Sequence, residues 1–188
     1  CESDVASCRS MAVWVQRPFN TAAALDALSN DEIFGDKANT ESVVLAGFSY
    51  GAYDTWARIG GVIARSTIVD ACEAGAFDGG CTDAGIDALA ANLFDERVVA
   101  AIPIAGAHAF PFEANGRAGL STPVMQISGT ADDDSPQWVW DNSDNTSMDW
   151  VSIEAGCHQL FSLGGCPQID AEEGFDMVEA YSFAFARH

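Results

Sequence analysis

The sequence predicts an α/β fold: a mostly parallel sheet flanked by helices. Three observations carry this. Four short apolar runs rich in β-formers, "SVVLAGF", "RVVAAIPIAG", "PVMQISG" and "MDWVSIEAG", are separated by stretches with helical spacing of apolar residues. Such unbroken apolar runs suit strands buried on both faces, as parallel strands are. The alternation of strand and helix then calls for right-handed crossovers. Finally, 188 residues with 48% apolar content can bury a real core.

Taken in order, residues 1–17 carry two cysteines and few structural signals, and read as a loop. Pro18 suits the first turn of a helix, and "FNTAAALDALSN" continues it to about Ser29. "DEIFGDKANTE" is a polar connection before the first strand. After Ser49, the residues Ala52, Trp56, Ile59 and Ile63 recur at helical spacing and mark one apolar face. "CEAGAFDGGCTD" is a glycine-rich excursion. In "DAGIDALAANLF", Asp83 caps a helix whose Ile86, Leu89 and Leu93 share a side. The second strand follows, and then a loop or short helix, "AHAFPFEANGRAGLST". After the third strand, Ser135 and Pro136 open a short helix. The fourth strand precedes a last helix that starts with Asp170 and Glu173 at capping-box spacing and runs to the end. There is no internal repeat.

The charge balance is 28 acidic residues against 8 basic, net −20, with Lys37 the only lysine. Nucleic-acid binding needs Lys and Arg to neutralise phosphates, so this surface excludes nucleic-acid partners and favours solubility. No apolar run is long enough to span a membrane. Six cysteines fall in three close pairs, separated by 7, 9 and 9 positions. Six allow 15 pairings; the clustering favours Cys1–Cys8, Cys72–Cys81 and Cys157–Cys166. None has the C-x-x-C spacing of zinc or redox sites, so the count points to an oxidising compartment, secreted or periplasmic.

A serine between two glycines is costly in a regular strand or helix. Gly47-Phe48-Ser49-Tyr50-Gly51 lies where the first strand meets a helix, which is the setting of a nucleophile elbow. The strained turn exposes the Ser49 hydroxyl above the carboxyl edge of the sheet. It also aims the Tyr50 N–H and the positive end of the helix at one point, where an oxyanion would be stabilised. A serine hydroxyl needs a base, and the base an orienting carboxylate. In chain order Ser–acid–His, the third strand ends in "SGTADDDSP", which supplies Asp132 with Asp133 as runner-up. The fourth ends in "EAGCHQLFS", which supplies His158. Of the other histidines, His188 is terminal and His108 follows the wrong strand for the base. If Cys157 bridges to Cys166, the base sits on a stapled loop.

Asp141 to Asn145, "DNSDN", lacks the glycine and glutamate of a calcium loop and reads as a solvated helix end. Trp138, Trp140 and Trp150 suit an aromatic wall or, for at least two of them, the core. Phe110, Pro111 and Phe112 border the pocket in this reading. Asn145-Thr146-Ser147 matches a glycosylation acceptor.

The chain resembles α/β-hydrolases, and within them predicted dienelactone hydrolases and platelet-activating-factor-acetylhydrolase-like serine esterases. Four stretches carry the likeness in the family's order: "VQRPFNTAAALDAL", "VVLAGFSYGAY", "PVMQISGTADDDSP" and "EAGCHQLFSLGGC". The resemblance implies Ser49 as nucleophile, Asp132 as acid and His158 as base. It implies hydrolysis of small or lipid-like carboxylic esters through an acyl-enzyme, with no cofactor and no metal. Dienelactone hydrolases proper use cysteine where this chain has serine, which favours the esterase branch. A peptidase or acyltransferase on the same fold, and a non-catalytic binding module, are the alternatives. Family members begin with strands that this chain lacks, and one of their loops gives the second oxyanion donor. Residues 1–188 are therefore expected to form the C-terminal part of one catalytic domain, completed by an N-terminal polypeptide; Tyr50 alone is assigned as an oxyanion donor.

Overall fold

The computed structural model describes residues 10–106, 112, 116–132, 136–144 and 146–187. The elements are α1 (Met11–Ser29), β1 (Val43–Phe48), α2 (Tyr50–Arg58), α3 (Arg65–Glu73), α4 (Asp83–Ala90), β2 (Val98–Ile104), β3 (Val124–Gly129), α5 (Pro136–Asp141), β4 (Met148–Ile153), a 3-10 turn (His158–Ser162) and α6 (Ala171–Ala186). The four strands form one parallel sheet in the order β1-β2-β3-β4. The α/β architecture read from the sequence is the one observed.

Burial along the strands follows from this order. Every residue of central β3 is buried, whereas in β1 and β4, at the edges, exposed positions lie among partly buried ones and Ile153 alone is buried. Successive side chains point to opposite faces. On one face Ala101 and Val124 join Tyr53, Trp56, Ile68, Leu89 and Val139 of the helices. On the other, Ile102, Met125, Ile127 and Ile153 pack with Leu160, and with Met177 and Phe185 of α6. Inside β2, Pro103 cannot donate to the ladder. Ala101 N–H donates to Pro123 O and Ala105 N–H to Ile127 O, so one rung between these is missing and the strand pairing continues past it.

Several element bounds differ from expectation, each for a local reason. The first helix begins at Met11, so Pro18 lies inside it. A helical proline leaves the carbonyl four residues earlier without its donor. That carbonyl belongs to Trp14, and the buried Tyr53 hydroxyl donates to it at 3.2 Å, removing much of the cost. The helix after Ser49 stops at Arg58, because Gly60 takes a left-handed φ of +99°. Ile59 and Ile63 are still buried, but from a connection leading to a separate helix, α3, which sequence periodicity missed. Thr82, not Asp83, caps α4 by accepting from Gly85 N–H, and α4 ends at Ala90 instead of reaching Phe94, which is exposed. The last helix starts as expected, with Asp170 accepting from Glu173 N–H at 2.8 Å, and ends at Ala186.

Two disulfides, Cys72–Cys81 and Cys157–Cys166, have the pairing favoured by the spacing. Cys1, Cys8, His108, Phe110, Pro111, Asp133, Asp134, Ser135, Asn145 and His188 lie outside the described residues. No described helix is long and apolar enough to cross a membrane.

Two charged groups organise the helical face. Asp95, before β2, accepts from buried Arg58 and, in bidentate fashion, from Arg97 at 2.8 and 2.7 Å; Arg97 also reaches Asp26 of α1 at 2.6 Å. The Arg97 and Arg58 guanidiniums hold the Asp95 carboxyl well below the usual carboxylate range. Arg117, only 1% exposed, stands among the rings of Trp56, Trp138 and Phe112, with its guanidinium carbon 5.4, 5.3 and 5.9 Å from their centroids. Burial pushes its guanidinium down to about 10. Phe112 is thus a core residue instead of a pocket border, and Trp138 takes the core role expected for at least two of the three tryptophans. Trp140 and Trp150 pair at 6.0 Å, and Trp150 Nε1–H donates to Ser128 at 2.8 Å.

Beyond these contacts, β1 has one free edge among the described residues. On the α6 side of the sheet, Val44 is 37% and Val99 46% exposed, and a groove of about 770 Å³ runs between them and Tyr181 and Phe185.

Candidate active site

The sheet order decides which loops meet. β3 and β4 are neighbours, so the turns after them lie side by side, while β1 reaches the same carboxyl edge one strand beyond β2. Ser49 follows β1 with φ 55° and ψ −116°, a conformation that non-glycine residues adopt at a cost of about 1–3 kcal/mol. Its N–H donates to Ile104 O at 2.9 Å and its carbonyl accepts from Ala52 N–H at 2.9 Å, and these bonds hold the turn against that strain. Two more non-glycine residues with positive φ, Ala105 and Ala155, follow β2 and β4, so the strain gathers at this edge.

The glycines around the elbow have distinct roles. A Cβ on Gly47 would lie 2.1 Å from Gly51 O and 2.5 Å from Thr55 Oγ1, and one on Gly106 would lie 2.3 Å from Ser49 O. A Cβ on Gly51 would meet nothing within 4 Å. Room for neighbouring backbone is therefore required at Gly47 and not at Gly51. Gly106, beyond the end of β2, has the matching role across the strand.

The acid and base loops are fastened to each other by backbone. Thr130 N–H donates to Ile153 O at 3.0 Å, Ala131 N–H to Gly156 O at 2.9 Å, and Ala155 N–H to Thr130 Oγ1 at 2.7 Å. Gly129 makes this approach possible: a Cβ there would fall 2.0 Å from Gly156 O. Asp132 N–H donates back to Gly129 O at 3.2 Å, which turns the side chain toward the neighbouring loop. His158 opens the 3-10 turn beside the Cys157–Cys166 disulfide. Leu160 seats that turn on α6, at Gly174, where a Cβ would lie 2.2 Å from the Leu160 side chain.

These restraints bring Ser49, His158 and Asp132 into one hydrogen-bonded series. His158 Nε2 is 3.1 Å from Ser49 Oγ, and Nδ1 is 3.0 Å from Asp132 Oδ2. The Asp132 side chain is 7% exposed and His158 34%, so the carboxylate is enclosed while the imidazole reaches solvent. The Phe48 ring lies 4.8 Å from the imidazole. With the proton on Nδ1, His158 donates to Asp132 and its Nε2 is the acceptor facing the Ser49 hydroxyl. Tyr50 heads α2, so its N–H has no acceptor within the helix. Its ring is held by Trp14 at 5.0 Å and by the Arg17 guanidinium at 5.2 Å. The contact of Gly129 with Gly156 was not foreseen from the sequence; its available sign was a glycine ending one strand and another just beyond the next.

No family model matches the chain, and no curated protein matches it. Among solved structures it is similar to that of Arabidopsis thaliana SOBER1, at 13% sequence identity with a TM-score of 0.40; the match covers 89% of this chain and 62% of SOBER1, so the chain spans less than two thirds of that protein's length.

Proposed function

We propose that this chain is a serine hydrolase of carboxylic esters, of the dienelactone-hydrolase-like serine esterase kind. The observation that supports this best is the Ser49–His158–Asp132 series at 3.1 and 3.0 Å on a strained strand-to-helix turn. In this reading Ser49 Oγ attacks the ester carbonyl as His158 Nε2 takes its proton. Asp132 keeps the imidazole in the required tautomer and stabilises its cation. The Tyr50 N–H and the N-terminus of α2 stabilise the tetrahedral oxyanion. The leaving alcohol takes the proton from His158. Water, deprotonated by the same base, then attacks the acyl-enzyme, releases the acid and returns the proton to Ser49. A fluorophosphonate probe tests the assignment: wild type is labelled and Ser49→Ala is not. Labelling that survives in Ser49→Ala rules out this nucleophile, and turnover of p-nitroanilides at the rate of the matching p-nitrophenyl esters would make the enzyme a peptidase instead.

We further propose that residues 1–188 are the C-terminal part of a larger catalytic domain that acts outside the cytoplasm. The two disulfides support the compartment. The free edge of β1 and the adjoining apolar groove support a missing strand and helix, since an uncovered parallel edge strand is otherwise an aggregation hazard. Intact mass of protein isolated from its source reads this out. A lone species of the 188-residue mass with full ester turnover refutes it.

A further inference from the structure

We propose that Phe48 acts on the reaction through His158: its aromatic ring stabilises the imidazolium that forms when His158 takes the Ser49 proton. This deepens the esterase reading and rests on Ser49 being the nucleophile. Phe48 ends β1 and directly precedes Ser49. It packs against the apolar cluster on the α6 side of the sheet, which includes Ile102, Met125 and Ile127. Its ring is therefore set by the core, whereas the imidazole beyond it reaches solvent.

His158 arrives from the far side of the sheet. β1 and β4 are its two edges, three strand spacings or about 14 Å apart. On the β1 side the imidazole meets two groups, the Ser49 hydroxyl at Nε2 and the Phe48 ring. The two ring centroids are 4.8 Å apart and the planes 41° from parallel. Rings this close, and tilted by well under a right angle, have no room to lie edge beside edge, so one face is turned toward the other. An aromatic face attracts a cation within about 6 Å of its centroid. Neutral imidazole gains little from that field and imidazolium gains more. The contact therefore strengthens as the proton moves from Ser49 Oγ to Nε2. An interaction stronger in the transition state than in the ground state raises the rate. Asp132 stabilises the same cation through Nδ1. Phe48 acts on the ring face, where imidazole has no hydrogen-bonding group and no polar partner could serve.

The test changes the charge of the aromatic face and leaves its shape. Mono-, di- and pentafluorinated phenylalanine replace Phe48 in turn, and each protein reacts with a fluorophosphonate over a range of concentrations, which separates kinact from KI. In that reaction Ser49 Oγ bonds to phosphorus, the P–F bond breaks with its electron pair leaving on fluoride, and the Ser49 proton passes to His158 Nε2. Fluorination drains the face of electron density, so kinact should fall step by step, by about twofold to fivefold in total, while KI stays constant. Phe48→Leu, which fills the space without a π-face, should show the full fall. Melting temperatures are recorded for all of them. Equal kinact across the fluorinated series, in protein that is labelled and whose Ser49→Ala variant is not, overturns the inference while the nucleophile stands. A fall in Phe48→Leu that the fluorinated rings do not share also overturns it, since only packing has then been lost. Labelling that needs no Ser49, or no labelling of the wild type, removes the esterase reading and this inference with it.

Discussion

Replacing Gly129 by alanine should disable the site without touching any of its three polar residues. The new Cβ would fall 2.0 Å from Gly156 O and 2.4 Å from Gly156 C. An ordinary C···O contact is about 3.3 Å, so about 1.3 Å must be regained by moving one loop away from the other. Gly156 is two residues before His158, and Gly129 is hydrogen-bonded by Asp132 N–H, so the displacement passes into both partners. The His158–Ser49 distance of 3.1 Å has little slack: an added ångström breaks the hydrogen bond. A misplacement of about 1 Å costs about 10²-fold in rate. Overpacking should also lower stability by about 1–3 kcal/mol. The assay is the second-order rate of fluorophosphonate labelling at 25 °C, with the melting temperature recorded for each sample. Gly165→Ala serves as control, since its Cβ would meet nothing nearer than 3.7 Å in the same disulfide loop. Gly129→Ala that stays folded and is labelled at the wild-type rate would refute the claim that the two loops are set by this contact.

Three other outcomes are expected. Gly47→Ala should abolish labelling or folding, with Cβ 2.1 Å from Gly51 O, whereas Gly51→Ala should retain the wild-type melting temperature within about 1 kcal/mol of stability, and labelling rates of the pair decide it. Cys157→Ser with Cys166→Ser should remove about 2.5–3 kcal/mol by the chain-entropy relation, lowering the calorimetric melting temperature by about 5–10 °C, and should slow labelling by loosening the loop that carries His158. Asp95→Asn should cost about 3–5 kcal/mol, because buried Arg58 loses its carboxylate. The Asp95 carboxyl is held below its unfolded value of about 3.9, so its contribution is complete above that pH and declines as the pH falls further. Denaturant melts should therefore show the gap between wild type and Asp95→Asn narrowing below about pH 4, and a gap constant down to pH 2 would contradict the ion-pair account.

What the sequence made legible was whatever depends on spacing along the chain. The four apolar runs are the four strands; for β3, buried at every position, burial on both faces accounts for the run, while β1 and β4 keep exposed positions and were legible from their β-branched content. The order of Ser49, Asp132 and His158 could be read because each follows a strand, and the Asp170 cap because it acts within one turn. What escaped depends on contacts between distant segments. Pro18 looked like a helix start, since nothing nearby reveals that Tyr53, 35 residues on, supplies the missing donor to Trp14. The apolar spacing of Ile59 and Ile63 imitated a continuing helix, although Gly60 and Gly61 interrupt it and the two side chains are buried from a turn. Phe112 looked like a pocket border because the buried Arg117 that gathers it with Trp56 and Trp138 could not be foreseen from one lone basic residue.

Ser49 and His158 are separated by 109 positions, and the strand that supplies the imidazole is the last of the four. Closing so long a loop is a late event in refolding, since the chain entropy must be surrendered before the contact can reward it. The elbow can be complete, with β1 and α2 docked, while the hydroxyl is still inert. After dilution from denaturant and reductant, labelling at Ser49 should therefore clock the docking of β4 and the reformation of the Cys157–Cys166 link.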